Sequence, residues 1–297
     1  MNNNIQPSGG HDLRSLYRRA AARLSELGSG APEHEALLLC VHCLDISGRA
    51  DIALRGDTIP APDAVRRLAE CVEQRASRPL QYILGEWDFC SMTLAVGEGV
   101  LIPRDDTAAL VETVAGFLSG VKDRGRILDL CAGSGAVGLA CARALPGAEV
   151  ICLELSDGAM HYLEENVRRW GDGRVSIVKG DVLRGPGPDV FPVCAPFDVI
   201  CSNPPYIRTG DIAGLAREVR QEPVMALDGG EDGLVFYRAI AEKWSVLLGY
   251  GGALAFETGD GMENAVAEIM RSHGFCDIMS GKDINGRIRT IIGTKRK

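Results

Sequence analysis

The chain lacks any long apolar run. One of its two longest uncharged stretches, Leu130 to Ala142, is glycine-rich and, like Trp244 to Phe256, well short of the ~20 apolar residues that span a bilayer, so no membrane partner is expected. It also lacks a basic excess: the net charge is −8, and lysine is absent up to residue 78, where ten arginines balance ten Asp and Glu. The negative excess therefore lies wholly in the remainder. Nucleic-acid affinity rests largely on phosphate neutralisation by a basic face, so no direct nucleic-acid partner is expected. The start, Met1-Asn2-Asn3-Asn4, lacks the basic-then-apolar pattern of a secretory leader, which makes a cytoplasmic location the expectation. Cysteine is plentiful, with ten copies, but Cys40, Cys131, Cys141, Cys152 and Cys201 sit inside apolar runs like small core residues. Only Cys40-Val41-His42-Cys43 has ligand-like spacing. With no second pair at zinc-finger distance it reads as helix packing, and no metal is expected.

What is present points to two parts. At 297 residues and 46% hydrophobic content, the chain has room for one large domain and a smaller one. Leu13, Leu16, Tyr17, Ala20, Leu24 and Leu27 fall at amphipathic-helix spacing. Arg14, Arg18 and Arg19 lie mostly off that stripe and read as a solvated face. Further helices are predicted after Pro32 and near Pro62, so residues 1–82 read as a helical bundle. Trp87, Phe89, Met92, Leu94 and Val96 suggest a β-hairpin linker over 83–100. From residue 101 to the end, strand-like runs at Arg126–Leu130, Glu149–Glu154, Val175–Lys179, Phe197–Ser202 and Gly252–Thr258 alternate with helical segments. Cys276–Met279 and Arg287–Gly293 follow, joined through Asn285-Gly286, a hairpin signal. The order predicts an α/β fold: a doubly wound, mostly parallel seven-stranded sheet with one antiparallel strand near its end.

Two places on that sheet carry chemistry. Asp129-Leu130-Cys131-Ala132-Gly133-Ser134-Gly135 is a strand running into a glycine turn before a helix, a backbone that can approach a ligand closely. One strand later, Glu154 is placed to grip both hydroxyls of a ribose. Gly133 to Gly138 satisfies G-x-G-x-x-G, so this loop alone leaves a dinucleotide and S-adenosylmethionine both open. Asp129 suggests a contact with a charged ligand end, and Asp181 could bond an adenine amine or serve as a turn residue.

Asn203-Pro204-Pro205-Tyr206 decides between them. The motif follows Phe197–Ser202, a buried strand, and a double proline cannot continue a sheet. Pro204 biases Asn203 toward extended backbone, which turns the asparagine amide and the Pro204 carbonyl into the crevice at the strand end. Two fixed acceptors beside an aromatic ring suit a flat –NH2 group, and hence a methyl donor rather than a redox cofactor. The acceptor is either a protein amide or an exocyclic amine of a nucleobase. The acidic second part and the absence of a basic insert favour the amide. A non-catalytic docking module is the reading of another class, and the intact loop and motif weigh against it.

These residues resemble the HemK/PrmC family, the glutamine methyltransferases that modify peptide chain release factors. The resemblance covers nearly the whole chain: Gly85-Glu86-Trp87-Asp88-Phe89, Leu101-Ile102-Pro103-Arg104 with Asp106-Thr107, the Asp129 loop, Ser202 to Ile207, Glu222-Pro223 followed by Ala226-Leu227 and Gly230, Asp232-Gly233-Leu234, and Asp283 with Gly286-Arg287. It implies a class I S-adenosylmethionine-dependent (Rossmann-like) catalytic domain behind a release-factor-gripping helical domain, acting as a monomer and releasing S-adenosylhomocysteine. It implies that Cys131, Ala132, Gly133, Ser134 and Gly135 line the methionine part of the donor, that Glu154 holds the ribose, and that Asp181 and Val182 flank the adenine. Asn203 and the Pro204 carbonyl would hold the substrate amide, with Pro205 and Tyr206 against it and Asn203 also next to the donor. Asp105 and Ala108 stand where the family usually has Pro and Glu, and Glu154 stands where it often has Asp.

Overall fold

Among the described residues, the first part forms five helices: α1 (Leu13–Glu26), α2 (Pro32–Cys43), α3 (Arg49–Leu54), α4 (Pro62–Gln74) and α5 (Leu80–Leu84). The structure, a computed structural model, describes residues 12–119, 125–187 and 196–296, so Met1–Asn4 falls outside it. The described chain forms two units that divide after Gly85. Asp12 caps α1 by accepting from Ser15 N at 2.8 Å, and the helix buries Leu13, Leu16, Ala20 and Leu24. Prolines open α2 and α4, where their missing N–H groups cost nothing. Arg75 is buried rather than solvated. It is 4% exposed and makes a two-pronged pair with Glu35 at 2.9 and 2.8 Å. The first unit ends at Gly85, a left-handed C-cap with φ 77°.

The second unit opens with the hairpin of β1 (Glu86–Phe89) and β2 (Met92–Ala95), turned by Cys90 and Ser91 at positive φ. The hairpin is no free linker, because Phe89, Met92 and Leu94 are part of this unit's core. After it come α6 (Ala108–Ser119), β3 (Arg126–Leu130), α7 (Ala136–Ala144), β4 (Glu149–Glu154), α8 (Asp157–Trp170), β5 (Val175–Lys179) and β6 (Phe197–Ser202). The chain finishes with α9 (Val235–Ala239), β7 (Leu248–Glu257), α10 (Glu263–Ser272), β8 (Phe275–Lys282) and β9 (Ile288–Lys295). The large sheet has the order β5-β4-β3-β6-β7-β9-β8, with β9 alone running antiparallel to its neighbours.

Its central strands are apolar on both faces because helices cover both. One face packs Ile127, Cys152, Val199 and Ala255 under α6, α7 and α8. The other packs Leu128, Leu153, Ile200 and Phe256 with Tyr237 and Trp244. Each fully buried Leu, Ile or Phe contributes roughly 1.5–3 kcal/mol. The two large aromatics satisfy their polar tips: Trp244 Nε1 donates to Val182 O at 2.8 Å and Tyr237 Oη to Glu257 O at 2.9 Å. From β3 the chain steps outward through β4 to β5, then returns to the far side of β3 as β6. That reversal opens a crevice at the C-terminal ends of β3 and β6, the place where open α/β sheets bind ligands.

Candidate active site

A cavity of about 550 Å³ occupies this crevice. It brings together Asp129 and residues 131–134 of the loop, Glu154, Asp181, Val182, Asn203 and Pro205, contributed by four different strand ends, while Gly135 is not among its lining residues. The loop is close-packed from beneath. Gly133 and Gly135 take φ 57° and 82°, and Cys131 adopts φ 59° without being glycine. A Cβ at Gly135 would lie 2.6 Å from Leu163, and one at Gly138 would lie 2.5 Å from Cys152 Sγ. Gly138 lets α7 press against the sheet, and Gly135 lets the turn pack against α8.

Two acids frame the loop. Glu154 is 8% exposed; its Oε2 accepts from Gly133 N at 2.8 Å and its Oε1 from Leu155 N and Ser156 N at 2.8 and 2.7 Å. The carboxylate thus joins the loop to the next turn while facing the cavity. Asp129, 1% exposed, accepts from Gly138 N at 2.8 Å. Burial pushes its carboxyl up to about 7, against the pull of that N–H and with the Glu154 charge adding to the rise. Asp181 lines the cavity and turns the chain, accepting from Leu183 N at 2.9 Å. Asn166 escaped the sequence reading. Fully buried on α8, it accepts from Ala95 N at 2.7 Å and donates to Ser134 O at 2.9 Å, stapling the loop to the hairpin.

Across the cavity, Asn203 Nδ2 donates to Thr107 Oγ1 at 3.3 Å, which leaves Oδ1 as the free end of the amide. Among the described residues no backbone N–H bonds the Pro204 carbonyl. Pro204 and Tyr206 are not among the residues lining the cavity. The Tyr206 ring instead packs into the core beside Met262, and burial raises its hydroxyl pKa. Its backbone is clasped by glycines: a Cβ at Gly229 would come 2.7 Å from Tyr206 Cα, and one at Gly233 would come 2.5 Å from Tyr206 O. The rim is set by Glu222, whose buried carboxylate accepts from Ile102 N at 2.9 Å and pairs with Arg104. Asp105 is exposed and Ala108 half-buried, and neither lines the cavity.

Behind Asn203 lies a polar cluster that periodicity could not reveal. Glu257 ends β7, is 3% exposed, and has Oε2 without a hydrogen-bond partner. Burial pushes its carboxyl up to about 7, while the Thr107 hydroxyl and the Arg289 guanidinium oppose the rise. Arg289 in turn meets Asp106 at 3.1 Å, Asp260 at 3.0 Å and Asp283 at 3.4 Å. The one signal in the sequence was a carboxylate closing the apolar run Ala253–Phe256. In the helical unit, His42, Cys43 and Cys71 form the one His/Cys/carboxylate group of metal-ligand geometry among the described residues, with the two sulfurs 3.7 Å apart. They offer fewer donors than a closed tetrahedral site requires. Also among the described residues, no helix is long and apolar enough to cross a membrane.

Comparison with known proteins agrees with this geometry. Residues 15–85 match the family described as PrmC N-terminal domain, and residues 104–244 that described as Conserved hypothetical protein 95. A release factor glutamine methyltransferase of Rhodospirillum rubrum is 38% identical over 96% of this chain and 85% of its own length. One from Moorella thermoacetica is 35% identical over 96% and 99%. Among solved structures, the hMettl16 catalytic domain in complex with an RNA hairpin aligns with a TM-score of 0.51 at 16% identity, over 78% of this chain and 81% of that one; this likeness speaks for the fold alone. On the full-length identity, the chain belongs to the release factor glutamine methyltransferase family.

Proposed function

We propose that the protein transfers a methyl group from S-adenosylmethionine to the side-chain amide nitrogen of the glutamine in the Gly-Gly-Gln motif of peptide chain release factors. The observation that carries this reading is Asn203: its Nδ2 is tied back to Thr107, so its carbonyl oxygen is left to accept from an –NH2 group entering the crevice. The residues present also fit the donor. A cavity of about 550 Å³ suits a nucleoside-sized ligand, and its glycine turn offers backbone without side-chain obstruction. Glu154 faces the cavity with about one of its roughly four lone-pair sites left for a ribose hydroxyl, Asp181 and Val182 line the wall proposed for the adenine, and Asp129 is an acid able to match an ammonium group.

When bound, the donor supplies an electrophilic sulfonium methyl. What the chain must supply is alignment, because an amide nitrogen shares its lone pair with its carbonyl and is a poor nucleophile. The Asn203 and Pro204 oxygens would accept the two amide protons, fix the –NH2 plane and localise the lone pair toward the methyl. Such positioning can supply roughly 7–11 kcal/mol in favourable cases. Tyr206, set behind the prolines and off the cavity wall, keeps them in register, so its part is positioning too. The helical unit is assigned to gripping the release factor, and residues 101–297 to catalysis. Incubating the protein with labelled donor and, separately, a release factor and nucleic acid is the direct experiment. A single methyl on the Gly-Gly-Gln glutamine, located by mass spectrometry, is expected; label on nucleic acid alone overturns the proposal.

A further inference from the structure

The proposed mechanism needs the Asn203 amide to present oxygen, not nitrogen, to the substrate. An asparagine side chain can face either way, and what selects the orientation is the partner of its other end. That partner is Thr107, 4% exposed, whose hydroxyl can accept from Asn203 or donate to it. A hydroxyl is directional only when its own proton is committed elsewhere. The group that can commit it is Glu257. Parallel pairing sets Ser202 of β6 level with Phe256 of β7, so the next residues, Asn203 and Glu257, leave the sheet edge side by side. Glu257 is nine-tenths buried and carries an oxygen with no partner, and the Thr107 and Tyr206 hydroxyls stand close enough to favour its ionised form.

We propose that Glu257 is a positioning residue: its carboxylate draws the Thr107 hydroxyl proton, so that Thr107 offers only lone pairs to Asn203 Nδ2 and the Asn203 oxygen stays turned to the cavity. This rests on the glutamine-amide reading of the site but is measurable apart from it. The relay requires Glu257 ionised. A protonated Glu257 could donate to Thr107, freeing the threonine proton to bond Asn203 Oδ1 and remove the acceptor from the substrate. The groups that face Glu257 are the Thr107 hydroxyl and the Asp106 carboxylate from the turn before α6, the Tyr206 hydroxyl from the loop after β6, the Tyr237 hydroxyl from α9 and the Arg289 guanidinium from β9. Arg289 favours the carboxylate and Asp106 disfavours it, while burial holds the balance near neutrality. Transfer should therefore rise with pH through the neutral range as Glu257 loses its proton.

Two measurements on the full chain decide the matter. In steady-state assays with release factor, Glu257→Gln is expected to lower kcat by up to about 10²-fold, with little change in KM for the donor, and to flatten the neutral rise of the pH profile. Thr107→Val should repeat the loss and Thr107→Ser should retain most of the rate, while calorimetric binding of S-adenosylhomocysteine stays near wild type in all three. A Glu257→Gln enzyme with wild-type kcat and pH profile overturns the proposal. The second measurement needs no methyl acceptor. The side-chain amide signal of Asn203 in 15N-asparagine-labelled protein, identified by its loss in Asn203→Ala, should shift with pH near neutrality in the wild type and stay fixed in Glu257→Gln. If Glu257→Gln fails to fold, the wild-type titration and the Thr107 pair carry the decision. An Asn203 signal that does not titrate, or titrates alike in both proteins, refutes the relay even if the release factor is methylated. A protein that methylates no release factor but shows the titration refutes only the substrate.

Discussion

At the loop end of the cavity, Glu154 gives its two oxygens to three backbone N–H groups at 2.7–2.8 Å, whereas at the Asn203 end Glu257, buried as deeply, leaves Oε2 unpaired. A buried polar atom without a partner costs about 1–3 kcal/mol, and folds seldom keep one without use. The difference separates two kinds of binding surface. The loop end is braced by the protein's own backbone before any ligand arrives. The Asn203 end holds hydrogen-bonding capacity in reserve. One end is built as scaffold and the other as reaction site.

The sharpest way to break that contrast is Asn203→Ala. If the Asn203 end does chemistry and the loop end does binding, kcat falls by roughly 10²–10³-fold, the scale of losing one preorganised polar contact at a reacting centre. Calorimetric Kd for S-adenosylmethionine should then move little. An Asn203→Ala protein that methylates normally would place the reacting group elsewhere.

Glu154→Ala should give the reverse pattern. It removes the proposed ribose contact and frees Gly133 N from its acceptor, so Kd for the donor should rise about 10–10²-fold, the worth of about one hydrogen bond to a charged group, with kcat at saturating donor much less affected. Equal damage to kcat would show that the two ends are coupled rather than distinct.

The sequence disclosed these two ends unequally. Strands β3, β4, β5 and β6 begin and end where their apolar runs do, because buried parallel strands leave a local mark that needs no partner to read. The short α3 and α5 left none: six and five residues are too few for a helical period. Strand β7 starts earlier than expected, at Leu248, since its glycine-rich opening has no alternation. The loop and motif were legible because glycine and proline state their backbone demands outright. Thr107, Glu257 and Arg289 were not, because what makes them a unit is proximity across some 180 residues of sequence. Asp106-Thr107 and Asp283 stand out in the sequence only through family resemblance, and the structure supplies a physical reason for two of them: Asp106 and Asp283 both hold Arg289.

Gly138→Ala tests how far the loop end is scaffold. The new methyl would sit 2.5 Å from Cys152 Sγ and 3.0 Å from Asp129 Oδ2, both fixed in the sheet. Overpacking of this kind costs about 1–3 kcal/mol, so the denaturation midpoint should fall, with donor affinity lost in step as α7 is pushed off β3 and β4. Unchanged stability would mean that the loop has slack the packing does not suggest.

Asp129 is where the contrast could soften, because it sits at the scaffold end yet titrates near neutrality. Its carboxyl is near 7 in the folded protein and about 3.9 in an unfolded chain, so between those values the folded state holds the extra proton. The stability this contributes is fully present below about pH 4 and is lost as pH rises through about 7; Glu257 acts with the same sign. Asp129→Asn keeps the acceptor for Gly138 N and removes the titration. Urea denaturation should therefore show the variant gaining on the wild type from pH 5 to pH 8, by on the order of 1 kcal/mol given the effective screening inside proteins. Donor binding should run the other way. An ammonium group beside Asp129 favours its ionised form, so wild-type Kd should tighten as pH rises through 7 while that of Asp129→Asn stays flat. A wild-type Kd without pH dependence would return Asp129 to scaffold and leave the Asn203 end as the cavity's only titrating wall.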